Sequence, residues 1–448
     1  MTASTELSAG AVSAVHAPGP LTLRGYAAWA IGFWVIWMAI LPLGHVTALR
    51  TALALPVVGL TMVVTAKGAG WLSLLRVPAL AVWLMLLVWC GLSALWSPAA
   101  DVTWSKYRFD LLLPFCAFIS TYILARLAGA PKYLLLGGML GTALLAAMSI
   151  FAWVPAPAWL KIEVQQGTYI PMPFWYPGVG EASAYAVLLI GPLLAWWLAC
   201  RERSDGLAKW LPPLAMFAVF IIIVATNRRS ALVVPLLIIP LFFVLLGRDG
   251  KPMPRRSIGL LGAGFLLAAV LVGGLFEYGA RERLSPQQRN ALPATTSAAL
   301  MLLKAEPRPQ IWAYYLEKVQ QHPWIGVGFG RTVPAIYFDT RNNRALLAIE
   351  SNAATHAHNI ALNWVLQVGL VGFALFAALL AVIARRAWAA RLRSRQHRLL
   401  ACAAVATMVA MLLRNMTDDF MVYGIAIMFW ATLGALLGLL ERSRPGGL

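Results

Sequence analysis

Runs of about 20 apolar residues recur from one end of the chain to the other, and a run of that length crosses roughly 30 Å of hydrocarbon as a helix. That feature sets the fold class: an all-α polytopic membrane protein. About twelve transmembrane helices are expected, at 25–43, 49–66, 78–97, 109–127, 133–154, 182–200, 211–226, 230–247, 257–277, 358–384, 399–414 and 419–440. Composition agrees: 60% of residues are hydrophobic and 12% charged, where a soluble domain carries about 25% charged residues.

Lysine and arginine orient the spans. With the N-terminus inside, the short inner segments hold about 20 positive residues, including the run from Arg385 to Arg398; the short outer segments hold about seven. This is the positive-inside bias. It accounts for most of the net charge of +19, which in a soluble protein would suggest nucleic acid. Membrane lipids, and no nucleic acid, are the expected partners. The chain then divides into an inner tail at 1–24, spans one to nine over 25–277, an outer loop at 278–357, spans ten to twelve over 358–440, and an inner tail at 441–448. Residues 1–24 lack the basic start, apolar core and cleavage site of a signal peptide. Cys90, Cys116, Cys200 and Cys402 all fall in apolar runs without CxxC spacing, which argues against a disulfide framework or a zinc site.

Two outer segments stand out. Residues 155–180 carry Tyr169, Trp175 and Tyr176 among several prolines, a composition suited to the headgroup level. In the 278–357 loop, Leu302, Leu303, Ile311, Tyr315, Leu316 and Val319 give broken helical periodicity on either side of Pro307 and Pro309. Two short amphipathic helices are expected there. The Gly-rich run from His322 to Gly330 follows and cannot continue a helix.

The groups that can carry chemistry lie on the outer side. His358 sits at the first turn of an expected span, with Thr355 or Ser351 as cap. The positive end of the helix dipole disfavours imidazolium there, and a neutral imidazole can act as a general base. The bland alternative is an interfacial histidine bonded to headgroups. His356, two residues away, faces elsewhere on any helix and is the weaker candidate. Arg228 and Arg229 sit between two apolar runs with almost no loop. They either snorkel to headgroups or fork onto phosphate oxygens. Arg308, in the outer loop, is a solvated surface residue or a partner of those arginines in binding a diphosphate leaving group. Arg414, Asp418 and Asp419 lie before the last span. They form a local i,i+4 pair, or a carboxylate that orients a histidine or receives a sugar hydroxyl. No DxD-like cluster faces outside, so no bound Mg²⁺ or Mn²⁺ is expected. The absence of a P-loop excludes ATP as the energy source.

These residues resemble a known family. His358-Asn359, nine residues, then Gly369-Leu370-Val371-Gly372 is similar to the signature of the O-antigen ligase and polymerase superfamily. The run His322-Pro323-Trp324-Ile325-Gly326-Val327-Gly328 resembles its preceding HPhxGxG segment. Arg308 before Trp312, and Thr226 to Ser230, are similar to two further family segments, and all four occur in family order. The resemblance implies a metal- and cofactor-independent glycosyltransferase of the membrane-embedded C type (GT-C) in the bacterial inner membrane. Both termini would be cytoplasmic and the active site periplasmic. It implies an undecaprenyl diphosphate-linked glycan as donor, His358 as base, and Arg229 and Arg308 on the diphosphate. Asn359 is carried in the signature as a supporting residue. Arg228 stands where many relatives have Ser or Thr, so either arginine of that pair can make the contact.

Three enzymes share this chemistry and differ in acceptor: a sugar of lipid A–core for an O-antigen ligase, another lipid-linked repeat for a polymerase, a Ser or Thr for a protein O-oligosaccharyltransferase. The 155–181 segment holds only Lys161 as a cation, unlike the arginine-rich second loop of a polymerase. The chain ends at Leu448, directly after its last span, unlike the longer protein glycosyltransferases. Both points favour the ligase, whose maturing product is lipopolysaccharide. A lipid-linked glycan transporter is the alternative of a different class. Transporters place ionisable groups at the midplane of paired halves; here such groups cluster at outer helix ends.

Overall fold

The computed structural model describes residues 23–67, 78–127, 130–151, 161–164, 168–171, 176–203, 207–226, 228–247, 297–304, 306–349 and 351–442, with scattered positions between 259 and 293. Helices occupy eleven of the twelve expected span positions. The twelfth, 257–277, lies largely outside the described residues. Among the described residues, seven helical stretches are long and apolar enough to cross a bilayer, and three shorter apolar helices accompany them. Helices answer the lack of water in hydrocarbon, because they satisfy every backbone N–H and C=O internally.

The first half comprises α1 (Leu23–Ile40), α2 (Thr47–Lys67), α3 (Pro78–Leu92), α4 (Ala100–Lys106), α5 (Leu113–Arg126), α6 (Ala130–Phe151), α7 (Val179–Leu188), α8 (Ile190–Arg203), α9 (Leu211–Thr226) and α10 (Arg229–Gly247). A π-helical turn, Tyr107–Leu112, joins α4 to α5, so one helical stretch runs over 100–126 rather than the expected 109–127. Among the described residues, the expected all-α fold has one exception. Lys161–Val164 and Thr168–Pro171 form an antiparallel hairpin, Ile162 paired with Ile170. Prolines nearby exclude helix, and the β-branched Ile162, Val164, Thr168 and Ile170 favour extended backbone.

The described part of the 278–357 segment folds into short helices: α11 (Ala298–Lys304), α12 (Arg308–Val319), α13 (Val333–Tyr337) and α14 (Arg344–Ile349). The first two are the expected pair. Ile311 and Tyr315 on α12 are fully buried in a small cluster with Leu346, Ala353, Ala357, Leu362 and Leu366. That cluster seats the loop on the first turns of α15 (Ile360–Ala390). The bundle is completed by α16 (Arg395–Asn415) and α17 (Tyr423–Leu440). Helix α17 lies against α5, where Thr121 Oγ1 donates to Ala431 O at 2.8 Å and Trp83, Phe118 and Trp430 meet edge to face.

Candidate active site

Helix α15 is broken at Gly369, with φ 70° and ψ −177°. A break inside an apolar helix strands carbonyls that lipid cannot satisfy. The Gly-rich run supplies the partners. Val327 N–H donates to Leu366 O at 3.0 Å, Gly328 N–H to Gln367 O at 2.8 Å, and Leu370 N–H to Pro323 O at 2.8 Å. Trp89 Nε1–H closes Val368 O at 2.9 Å. The two backbones touch: a Cβ on Gly369 would lie 2.0 Å from Trp324 O, and one on Gly326 2.4 Å from Gln367 C. Both glycines also have positive φ, which disfavours any side chain. The spacing of the histidine to the glycines thus describes a docking joint. It anchors the 278–357 segment to the helix that follows the histidine.

At the start of that helix, Asn359 is the N-cap. Its Oδ1 accepts Leu362 N–H at 3.1 Å, and its Nδ2 donates to Met416 O at 3.1 Å. This corrects the expectation that Thr355 or Ser351 caps the helix with His358 in its first turn. His358 stands before the cap, buried at 7% exposure, with a left-handed φ of 50°. That turn redirects its ring. The second correction concerns His356, which lies beside His358 rather than on another face. The ring centroids are 4.0 Å apart, because no helix separates the two residues.

Both imidazoles converge on one carboxylate. His356 Nε2–H donates to Asp418 Oδ1 at 3.0 Å, and His358 Nδ1–H donates to the same oxygen at 3.3 Å. Burial raises the Asp418 carboxyl, but the hydrogen bonds from His356 and His358 more than offset this, holding it below the usual carboxylate range. An ionised carboxylate only accepts, so each ring nitrogen facing it carries the proton. Nε2 is then the acceptor of His358. His356 keeps its Nδ1 for the Thr355 hydroxyl, 2.8 Å away. Burial lowers His356 to about 4, against the pull of Asp418, so it is neutral at pH 7.

Asp419 points elsewhere. Asn363 Nδ2 donates to its Oδ2 at 2.8 Å, while Asn363 Oδ1 accepts Ala357 N–H at 2.9 Å. Arg331 Nη1 donates to the Asp419 carbonyl at 2.7 Å. Burial raises the Asp419 carboxyl, opposed first by Arg331 and Asn363. Arg414 does not form the expected pair with Asp418. It is 2% exposed and donates to Ser183 Oγ through Nε at 3.1 Å and Nη2 at 2.8 Å, with Phe420 over its guanidinium at 4.4 Å. It braces the turn that carries the two aspartates.

The other arginines stand at or beside helix starts. Arg308 opens α12 and donates to Glu306 Oε1 at 2.6 Å. Arg228 is exposed at the α9–α10 junction. Arg229 begins α10; its side chain lies outside the described residues. Among the described residues, His356, His358 and Asp418 are the group whose donor atoms, all within 4.8 Å of one another, could surround a cation. They are already joined by direct hydrogen bonds.

Residues 214–377 match a family model described as O-antigen ligase. A curated protein of Pseudomonas aeruginosa, described as an O-antigen ligase, is 26% identical over 301 residues. Both findings support kinship with the O-antigen ligase/polymerase superfamily. That alignment covers 66% of this chain and spans 62% of the length of the Pseudomonas relative. The superfamily match includes Arg228, Arg308, the Gly-rich run and His358. It stops 41 residues before Asp418, as 418 − 377 shows. Sequence reasoning did not single out Arg331 or Asn363, and it took Thr355 only as a candidate helix cap. Asn363 carried the one available signal, a polar residue one turn past Asn359 in an apolar helix.

Proposed function

We propose that the chain is an O-antigen ligase. It transfers the O-antigen glycan from undecaprenyl diphosphate to a sugar of lipid A–core on the periplasmic face of the inner membrane. The observation that carries the reading is the His358–Asp418 hydrogen bond, because it makes Nε2 the proton acceptor of the ring. In the proposed step, the acceptor hydroxyl gives its proton to His358 Nε2 as its oxygen attacks the anomeric carbon. The bond from that carbon to the diphosphate breaks on the opposite side, with inversion, and undecaprenyl diphosphate leaves with the electron pair. Asp418 stabilises the imidazolium that forms, as an orienting carboxylate does for a histidine base. Arg229 or Arg228, with Arg308, carries the growing charge of the diphosphate. No metal is required, since guanidinium groups supply the neutralising charge.

The test is transfer by the purified full chain, given undecaprenyl diphosphate glycan and a choice of acceptors: lipid A–core, a second lipid-linked repeat, or a pilin-like protein. Label is expected in lipid A–core; label in another acceptor replaces ligase by polymerase or protein glycosyltransferase. His358→Ala is expected to insert normally and to abolish transfer. Wild-type transfer by that variant overturns the base assignment, and lipid movement without a new glycosidic bond would make the chain a transporter.

A further inference from the structure

A second polar feature lies beside the catalytic turn. A cavity of about 150 Å³ opens between α2, α7 and the start of α17, lined by His45, Thr47, Arg50, Glu181, Tyr185 and Tyr423 among others. It joins the catalytic region through two elements. Val422 and Tyr423 continue the turn of Asp418 and Asp419. Helix α7 presents Glu181 to the cavity and Ser183 to Arg414.

We infer that this cavity seats one sugar residue of an oligosaccharide substrate. The inference rests on the glycosyl-transfer reading above. The lining places a guanidinium and a carboxylate in one small space. Among the described residues, Arg50 donates to Leu43 O through Nη2 while its buried Nε has no hydrogen-bond partner, and Glu181 Oε2 accepts only Gly178 N–H. An apolar occupant would desolvate both groups and leave their remaining donors and acceptors unmet. An anion would meet Glu181, and a cation would meet Arg50. Hydroxyl groups donate and accept at once, so a polyhydroxylated ring satisfies both. The volume is well below the roughly 300–1,000 Å³ of drug-sized sites, which suits one ring and not a chain.

The rim is held in an unusual conformation. His45 and Tyr423 both have left-handed backbone, at φ 57° and 48°. Tyr423 is fixed there from behind: Asp110 Oδ1 accepts its backbone N–H at 2.8 Å. Lys106 Nζ lies 4.4 Å from the centre of its ring and donates to its hydroxyl. Asp110 sits on the π-helical turn Tyr107–Leu112, a feature that recurs at functional sites. Backbone strain of this kind persists where surroundings enforce it, commonly at ligand clamps.

The donor glycan and the acceptor core offer the same ring chemistry, so the experiment separates them. Full-length protein in nanodiscs is compared with Arg50→Gln and Glu181→Gln; the latter keeps an acceptor for Gly178 N–H, which Glu181 Oε2 now receives at 3.2 Å. Saturation-transfer NMR is run with free oligosaccharide cleaved from each substrate, and KM is measured for each lipid-linked substrate. One oligosaccharide is expected to receive saturation from wild-type protein and lose it in both variants. KM for the matching substrate is expected to rise tenfold or more, with kcat within twofold; that substrate is the source of the ring. Retained saturation and unchanged KM in both variants would overturn the inference, as would a fall in kcat with both KM values unchanged. His358→Ala run in parallel judges the catalytic reading separately, because the NMR arm needs no transfer.

Discussion

Asp418→Asn isolates the orienting carboxylate with little change of shape. In the native protein Oδ1 accepts from His356 at 3.0 Å, from His358 at 3.3 Å and from its neighbour's backbone N–H at 2.9 Å. An amide oxygen in the Oδ1 place can still accept these bonds, but the amide carries no negative charge. The imidazolium that forms on His358 in the proposed step then loses the carboxylate that stabilises it. A positioned general base contributes about 10²–10⁴ in rate, so kcat is expected to fall by that factor, or roughly 3–5 kcal/mol at 1.36 kcal/mol per decade. Both KM values should change little, since Asp418 touches neither substrate in the proposed mechanism. The assay is initial-rate transfer by purified protein, with the melting midpoint measured on the same samples. A kcat within threefold of wild type at an unchanged midpoint would refute the orienting role.

The remaining predictions concern acidity, the docking joint and metal. His356 is lowered from 6.5 to about 4, chiefly by burial. A depressed folded pKa means stability that is present above 6.5 and lost as pH falls toward 4, about 3 kcal/mol at most. The melting midpoint of wild type should therefore drop between pH 7 and pH 4.5, and that of His356→Gln should drop less; parallel curves would count against the assignment. Gly369→Ala forces a side chain into Trp324 O at a positive φ, at a cost of about 3 kcal/mol or more. It should be recovered from membranes in much lower yield, and a normal yield and midpoint would contradict the joint. Transfer is expected to survive EDTA; loss that added divalent metal restores would assign the His356–His358–Asp418 group to a cation.

The superfamily segments were legible in the chain because each is local. The spacing from His358 to Gly369 and Gly372 is a property of one helix and its break. The residues that complete the site were not legible, because they come from elsewhere. Asp418 is 60 residues from His358, and Arg331 is 88 from Asp419. The ordinary reading of Arg414 and Asp418 as an i,i+4 pair fails because α16 ends at Asn415. The helical spacing the pair needs does not extend to Asp418.

The sequence by itself determined where the long apolar helices of the described residues form and that the candidate polar groups lie near helix ends. Apolar run length, helix-breaking residues and the distribution of lysine and arginine act locally or through the bilayer, so no knowledge of packing is needed. Only the tertiary structure decided which groups meet. It brought two histidines onto one carboxylate and turned Arg414 toward Ser183. A hydrogen bond requires approach to about 3 Å. At that range, the left-handed turn at His358 and the cap at Asn359 decide the outcome, and neither is encoded in hydropathy.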